Sequence, residues 1–462
     1  MFDSKTYIKR RDLLRQQVSS GMILFLGNDD APMNYVANTY HFRQDSSFLY
    51  FFGLGTPGLV AAMDIESGED TLFGDDIGIE DIVWMGYLPT IKERASRVGV
   101  KNSAPLKDLE MFVKDALQKG RKVHYLPPYR PEHSIKIEKW LAMSGDEAKV
   151  KSSSELIRAI IAQRSVKSED EIAQIELALK TTYKMYATAM RMAQPGVYER
   201  DIVGRIDGIA IADSGSTAFP TILTKNGQIL HNHDHSNKLK RGDIVVVDAG
   251  AQSPMTYAAD ITRTIPVGGK FSARQKEIYG IVLAAQEAAI QAMRPGIMYK
   301  EVHLVAAKKI ASGLKSAGLM KGETEDAVGR GAHALFFPHG LGHMLGLDVH
   351  DMENLGEEHV GYDDKVKRSD QFGLAYLRMA KELRPGFVLT VEPGIYFIPA
   401  LIDEWEAQKK FADFIAYEKL ATYRDFGGIR IEDDVLITKD GHRVLGRPIP
   451  KKPDKVEEAV HL

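Results

Sequence analysis

Two stretches of this chain, 168–196 and 272–296, start and stop alike, and that pairing limits the folds open to it. The first opens with Ser168 and Glu171 and stops at Pro195-Gly196. The second opens with Ser272 and Gln275 and stops at Pro295-Gly296. A serine followed three residues later by Glu or Gln is a capping box, in which each side chain satisfies a backbone N–H at a helix start. Apolar residues recur at helical spacing between the caps. The stops also match: Met192-Ala-Gln-Pro-Gly-Val-Tyr198 stands beside Met293-Arg-Pro-Gly-Ile-Met-Tyr299, and each leads into another helical pattern. This reads as a duplicated unit of about a hundred residues. The simpler alternative is that Pro-Gly ends helices often.

The strand-like segments carry the chemistry. "IVVVDAG" (244–250) is an apolar run ending in an aspartate, the pattern of a strand buried on both faces. "DITRTIPV", opening at Asp260, "FVLTVEPGIYF" (387–397) and "GGIRIEDDVLIT" (427–438) are rich in β-branched residues. Four carboxylates lie in or beside them: Asp248, Asp260, Glu392 and Glu432. Taken singly, Asp248 and Glu392 read equally as turn residues, and Glu432 as one charge of a solvated edge. As a set they demand a partner, because burying an unpaired carboxylate costs several kcal/mol or more. One arginine cannot neutralise four carboxylates, whereas divalent cations can.

"FFPHGLGHMLGLDVHD" (336–351) places His339, His343 and His350 within twelve residues of a chain that has 14 histidines. Histidine is a poor choice for filling a core. Four carboxylates and His343 make a donor set sized for two metal ions that share bridging carboxylates.

The 462 residues exceed what one core usually serves. Residues 1–155 read as a mixed α/β domain, with strands expected at 21–27, 42–54 and 121–126. The polar run "SGDEAKVKSSS" (144–154) reads as the connection to a second domain, 156–462. A formal net charge of −3 carries no polyanion-binding signature, so nucleic acid is not an expected partner. The absence of cysteine excludes disulfides, thiolate metal sites and cysteine nucleophiles, and fits a reducing compartment. The first residues, "MFDSKTYIKRRDLLRQQ", lack the apolar run of a secretory signal. No stretch approaches the roughly 18 apolar residues of a membrane span. The expected location is cytoplasmic, with no membrane partner.

"VVDAG…YAADITRT", "HGLGHMLGLDVHD", "LTVEPGIYF" and "GGIRIEDDV" occur in an order and spacing that resemble the pita-bread metallopeptidases, family M24. Within that family they resemble the proline-specific branch, prolidase (Xaa-Pro dipeptidase) and aminopeptidase P. "RRDLL" and "FRQDSSFLYFFGLGTPG" resemble the amino-terminal domain of those enzymes. The resemblance implies an α/β (α+β) architecture: a mixed amino-terminal domain, then a pita-bread fold with an internal pseudo-two-fold duplication. It implies two divalent metal ions held by Asp248, Asp260, His343, Glu392 and Glu432, with a bridging hydroxide as nucleophile and Glu392 shuttling its proton. Oxygen-rich ligation with one imidazole suits Mn²⁺, with Co²⁺, Fe²⁺ or Zn²⁺ also possible. By the same resemblance His339 and His350 donate to the scissile carbonyl, and His231 lies near the substrate's amino end or the leaving nitrogen. The segment from Asp248 to Asp260 is one residue longer than the family pattern, and the turn around Ser253-Pro254 is where that residue is expected.

The implied substrate is a short proline-containing peptide. Arg378, fourteen residues before Glu392, is the expected holder of a free carboxylate after proline, which favours a dipeptidase over an aminopeptidase for longer peptides. Arg430 is a second candidate for binding that carboxylate; it stands nearer the metals and is expected rather to steady Glu432 or a neighbouring acid. Trp84 resembles an aromatic that family dimers send into the partner's active site, which implies a homodimer; as a plain reading it is a core tryptophan. Metal-free amidinohydrolases of the creatinase type and non-catalytic relatives share the fold, but they lack the full ligand set present here.

Overall fold

Met22–Leu26, a run of five apolar residues, is buried at every position in the computed structural model, which describes residues 1–461. It lies inside a five-stranded sheet ordered Asn102–Ala104, Asp70–Phe73, Val60–Asp64, Met22–Leu26, Val123–His124. The three inner strands pair antiparallel and the two edge strands join parallel. This sheet belongs to the first of two compact units, Met1–Arg164 and Ser165–Leu462.

Two segments of the first unit differ from the sequence reading. Residues 42–54 contain a helix, Ser46–Phe52, in place of a strand. Asp45 caps it by accepting from Phe48 N at 2.8 Å, and Gly53 closes it at φ 63°. Those two end signals outweigh the β-propensity of the aromatic run, whose rings still find the core: Phe25 packs on Phe51 and Phe52. Residues 144–154 are not the plain connection that their polarity predicts: Ser144 and Glu147 form a capping box that starts a helix, Gly145–Val150. Ala148 of that helix joins the sheet's apolar core. A further helix, Ser154–Ser165, runs through position 155.

In the second unit the paired helical segments form as read. Glu169–Met192 and Ala273–Ala292 each start in a capping box, and each is followed by a second helix, Glu199–Ser214 and Tyr299–Ser316. The likeness continues past the Pro-Gly stops. Gly196 and Gly296 take φ 95° and 87°, a left-handed conformation that costs glycine little. Gly196 N donates to Leu239 O at 2.8 Å, and Gly296 N to Leu383 O at 2.9 Å. Tyr198 bridges to Lys238 and Met298 to Glu382. Lys238 stands ten residues before Asp248, as Glu382 stands ten before Glu392. The internal duplication is therefore structural, and it delivers equivalent carboxylates from its two halves.

Each half also supplies an antiparallel strand pair. Ile244–Ala249 pairs with Ile261–Pro266, and Val388–Val391 pairs with Asp433–Ile437. Helix tyrosines pin both: Tyr186 Oη donates to Val247 O at 3.0 Å, and Tyr299 Oη to Thr390 O at 2.6 Å. The longer connection from Asp248 to Asp260 closes with Ser253 N on Tyr257 O at 2.8 Å, and Thr256 takes φ 66°.

Candidate metal centre

Asp248 is the penultimate residue of its strand, Asp260 directly precedes its strand, and Glu432 lies between Gly428–Arg430 and Asp433–Ile437. Glu432 N donates to Thr262 O at 3.0 Å, and Thr262 Oγ1 returns a bond to Glu432 Oε2 at 2.7 Å. That exchange fixes the second half's carboxylate beside the first half's strand. His343 and Glu392 are set by a similar exchange. Thr390 N donates to His343 O at 3.0 Å, and Glu392 N to Leu341 O at 2.8 Å. A Cβ on Gly342 would run into Thr390 O, so this close approach needs glycine there.

Asp260, His343 and Glu432 bring ligand-type atoms within 4.8 Å of one another, a group able to hold a metal ion. His343 Nε2 lies 3.4 Å from Asp260 Oδ2 and 3.6 Å from Glu392 Oε1. The other ring nitrogen, Nδ1, is 3.0 Å from Met344 O. A carbonyl can only accept, so the ring proton sits on Nδ1 and the Nε2 lone pair points at the carboxylates. Asp248 Oδ1 and Asp260 Oδ1 are buried without a hydrogen-bond partner.

The electrostatics agree with that geometry. Burial, then Glu432 and Asp248, push the Asp260 carboxyl well above its usual range. Burial, then Glu392 and Asp248, do the same to Glu432. Glu392 is pushed up to about 8, chiefly by burial, with Arg430 opposing. Burial drives His343 well below its usual range and keeps it neutral. Carboxyls that hold protons when alone, orphaned oxygens and a neutral imidazole in the ligand tautomer together fit divalent cations.

These groups line a cavity of about 450 Å³ together with His231, His339, His350, Arg378 and Arg430. Arg430 steadies Asp248 rather than Glu432: its Nη2 donates to Asp248 Oδ2 at 2.6 Å. Its Nη1 donates to Tyr396 Oη at 2.9 Å and its Nε to Thr262 Oγ1 at 3.2 Å. His339 is already engaged on both nitrogens, Nδ1 with Gly340 O at 2.8 Å and Nε2 with Tyr396 Oη at 2.9 Å. Burial, then Arg430, lowers its pKa to about 3. The Nδ1 of His350 lies 2.6 Å from Arg378 Nη1. His231 lies on an exposed turn, and partial desolvation and Arg430 make it less basic. Trp84 is 85% exposed on the helix Ile79–Met85 of the first unit, so it is not a core residue there.

Sequence reading missed Tyr396, Thr262, Glu353 and the two acids after Glu432. Asp433 is bound by Arg263 and Lys451, both at 2.7 Å, and Asp434 accepts from Asp260 N at 3.1 Å. A usable signal existed for one of these pairs: Arg263 is a charge in an apolar strand and so needed a buried acid.

The model of metallopeptidase family M24 matches residues 173–439, and that of the aminopeptidase P amino-terminal domain matches residues 7–125. The chain belongs to metallopeptidase family M24. The peptidase is 29% identical to the Xaa-Pro dipeptidase of Homo sapiens, over 95% of this chain and 89% of the human protein. It is 31% identical to a probable Xaa-Pro aminopeptidase of Fusarium vanettenii, over 99% of this chain and 97% of the fungal one. Among solved structures it resembles Escherichia coli aminopeptidase P in complex with substrate: TM-score 0.82, 28% identity, covering 100% of this chain and 98% of that one. A zinc-substituted form of the same enzyme in complex with product matches with a TM-score of 0.81 at the same identity and coverage. The peptidase shares their pita-bread fold. Among the described residues, no helix is long and apolar enough to cross a membrane.

Proposed function

We propose that the peptidase hydrolyses the bond between an amino-terminal residue and proline in short peptides. Two divalent cations would be held by Asp248, Asp260, His343, Glu392 and Glu432. The carrying observation is the meeting of these carboxylates and one neutral imidazole in a single cavity. Mn²⁺ suits this donor set best; Co²⁺, Fe²⁺ and Zn²⁺ accept the same ligands. When bound, such cations polarise a carbonyl and lower the pKa of water toward neutrality. A metal-free amidinohydrolase has no use for the full set of acids.

The chain's own groups do the rest. An Xaa-Pro bond has no N–H, and its ring nitrogen must gain a proton as it leaves. Glu392, partly open to the cavity, takes up the water's proton and passes it toward that nitrogen. His350 lines the cavity, its Nδ1 lies 2.6 Å from both Arg378 Nη1 and Glu353 Oε2, and we assign its Nε2 edge to the scissile carbonyl. The Arg430–Tyr396–His339 chain holds the cavity wall and Asp248 in place. His231, on the cavity lining, faces the substrate's amino end or the leaving nitrogen.

The sequence favours a dipeptidase because Arg378 offers a guanidinium for a carboxylate after proline. Arg378 does line the cavity, which keeps that reading as the second one. Its pairing with Glu353, however, supports action on longer peptides, as an aminopeptidase. For assembly we propose a homodimer. The helix carrying Trp84 has no buried residue, and Val83 and Met85 are 73% and 84% exposed, so an apolar face awaits cover. The cysteine-free composition suits a cytoplasmic enzyme.

A length series tests the activity. Ala-Pro, Ala-Pro-Ala and a longer peptide are assayed with added Mn²⁺, beside Ala-Ala-Ala. The expected result is EDTA-sensitive cleavage only before proline, faster for Ala-Pro-Ala than for Ala-Pro. Cleavage of Ala-Ala-Ala at the same rate, or none of any peptide, contradicts the proposal.

A further inference from the structure

Arg378 does not meet the cavity as an unpaired cation. Its Nη1 is bound to Glu353, and the same nitrogen lies 2.6 Å from His350 Nδ1. Glu353 Oε2 is itself 2.6 Å from His350 Nδ1. Glu357 stands further off, 3.9 Å from Arg378 Nη1, and its other oxygen is taken by Arg368 at 2.7 Å. The anion nearest the guanidinium is therefore a residue of the chain. The hydrogen bond with His350 holds the Glu353 carboxyl below its usual range, with burial opposing and Arg378 adding to the effect, so Glu353 carries its charge. The pair is also reachable: the Arg378 and Glu353 side chains are 31% and 42% exposed. Among the described residues, Nε and Nη2 of Arg378 have no hydrogen-bond partner.

We propose that Glu353 is a specificity-determining residue. By neutralising Arg378 it sets the site against a free carboxylate after proline and in favour of the neutral carbonyl of a further residue. The inference rests on the Xaa-Pro reading above. A guanidinium attracts a carboxylate through its net charge and through its fork of N–H groups. Glu353 cancels the first attraction at contact distance. Glu353 lies beside the cavity rather than in its wall, in a small recess it shares with His350 and Arg378, where water screens its charge less than in bulk and an arriving carboxylate still feels it. To use Nη1 it must displace Glu353 and break a charge-assisted hydrogen bond. A peptide carbonyl brings no charge and needs only an N–H, which Nε and Nη2 still offer. The same arginine that in isolation announces a dipeptidase is thereby turned toward longer substrates. Glu353 lies 25 residues before Arg378 in the chain, and only the fold brings them together.

The test compares Ala-Pro with its amide, Ala-Pro-NH₂, which differ in the charge after proline. Both are assayed with the Mn²⁺-loaded full chain, as wild type, E353Q, R378A and the R378A/E353Q double variant. The readout is the ratio of kcat/KM for the acid to that for the amide. Any effect of Glu353 on His350 falls on both substrates and cancels in the ratio. E353Q is expected to raise the ratio about tenfold, through KM of the acid. In the R378A background the same substitution leaves the ratio within about twofold. A ratio that E353Q leaves unmoved or lowers overturns the inference, as does an equal rise with Arg378 absent. Hydrolysis of neither substrate by the loaded wild type overturns the Xaa-Pro reading and this inference with it. Hydrolysis of both with an unmoved ratio overturns the inference alone.

Discussion

Arg430 donates from Nη2 to Asp248 Oδ2 at 2.6 Å, joining strands whose residues lie 182 positions apart. The same guanidinium also bonds Tyr396 and Thr262, so three of its donors hold three different groups. A lysine has one point of charge and cannot span them. R430K is expected to lower kcat/KM by about 10–100-fold and to weaken metal binding by a similar factor. Steady-state kinetics and metal titration check both; unchanged metal affinity would detach Arg430 from the ligand set.

Lys167 and Asp351 form a fully buried ion pair at 2.9 Å, with side chains 0% and 1% exposed. Asp351 closes the segment that carries His343 and His350, and Lys167 N also donates to Gly386 O at 2.8 Å, just before the Glu392 strand. Removing Lys167 takes from the buried Asp351 carboxylate the cation that balances it at 2.9 Å. K167M is expected to cost about 3–5 kcal/mol in stability, read by urea unfolding. K167M/D351N should cost less than the sum of its single variants, because neither charge of the pair then remains to be balanced.

The pH response of the metal-free protein follows from its raised carboxyls. Glu392 titrates at about 8 in the fold against 4.5 ordinarily, and Asp260 and Glu432 move the same way. Between those values the native state holds protons that the unfolded chain has released, so stability falls as pH rises. His339 and His343 are lowered and act in the opposite direction, but only below their ordinary value of 6.5. From about pH 6.5 to 8 the carboxyls therefore govern, and the melting temperature of EDTA-treated protein should fall. Mn²⁺ should abolish that fall and release protons on binding, measurable by calorimetry in buffers of different ionisation enthalpy.

His339 stays neutral across the working range, its pKa near 3, and Tyr396 bridges it to Arg430. H339Q should therefore lower the rate by about 10–100-fold at every pH, without shifting either limb of the profile. Loss of one limb would assign His339 a titrating role instead.

The sequence made much of this site legible because its residues break the rules of their elements. Asp248 stands in an apolar strand, and the histidines crowd a glycine-rich run, so chemistry was the remaining explanation. The duplicated caps and Pro-Gly stops likewise exposed the repeated architecture. Local competition hid the rest. Asp45 and Gly53 turned an aromatic, strand-like run into a helix, and Ser144 with Glu147 did the same to a polar stretch. Tyr396 reads as one more ring in a buried strand, and its hydroxyl acquires a role only when Arg430 arrives from the opposing strand. Glu353 looks like any surface acid until the fold brings it to Arg378.

The most direct measurement is the initial rate of Ala-Pro-Ala cleavage as Mn²⁺ is titrated into EDTA-stripped protein at concentrations well above the metal Kd. A two-metal Xaa-Pro site predicts no turnover at the start, a rise that saturates at two equivalents per chain, and release of free alanine from the amino end. Turnover in the stripped protein equal to that of the loaded one, or saturation without hydrolysis of the Ala-Pro bond, would contradict it.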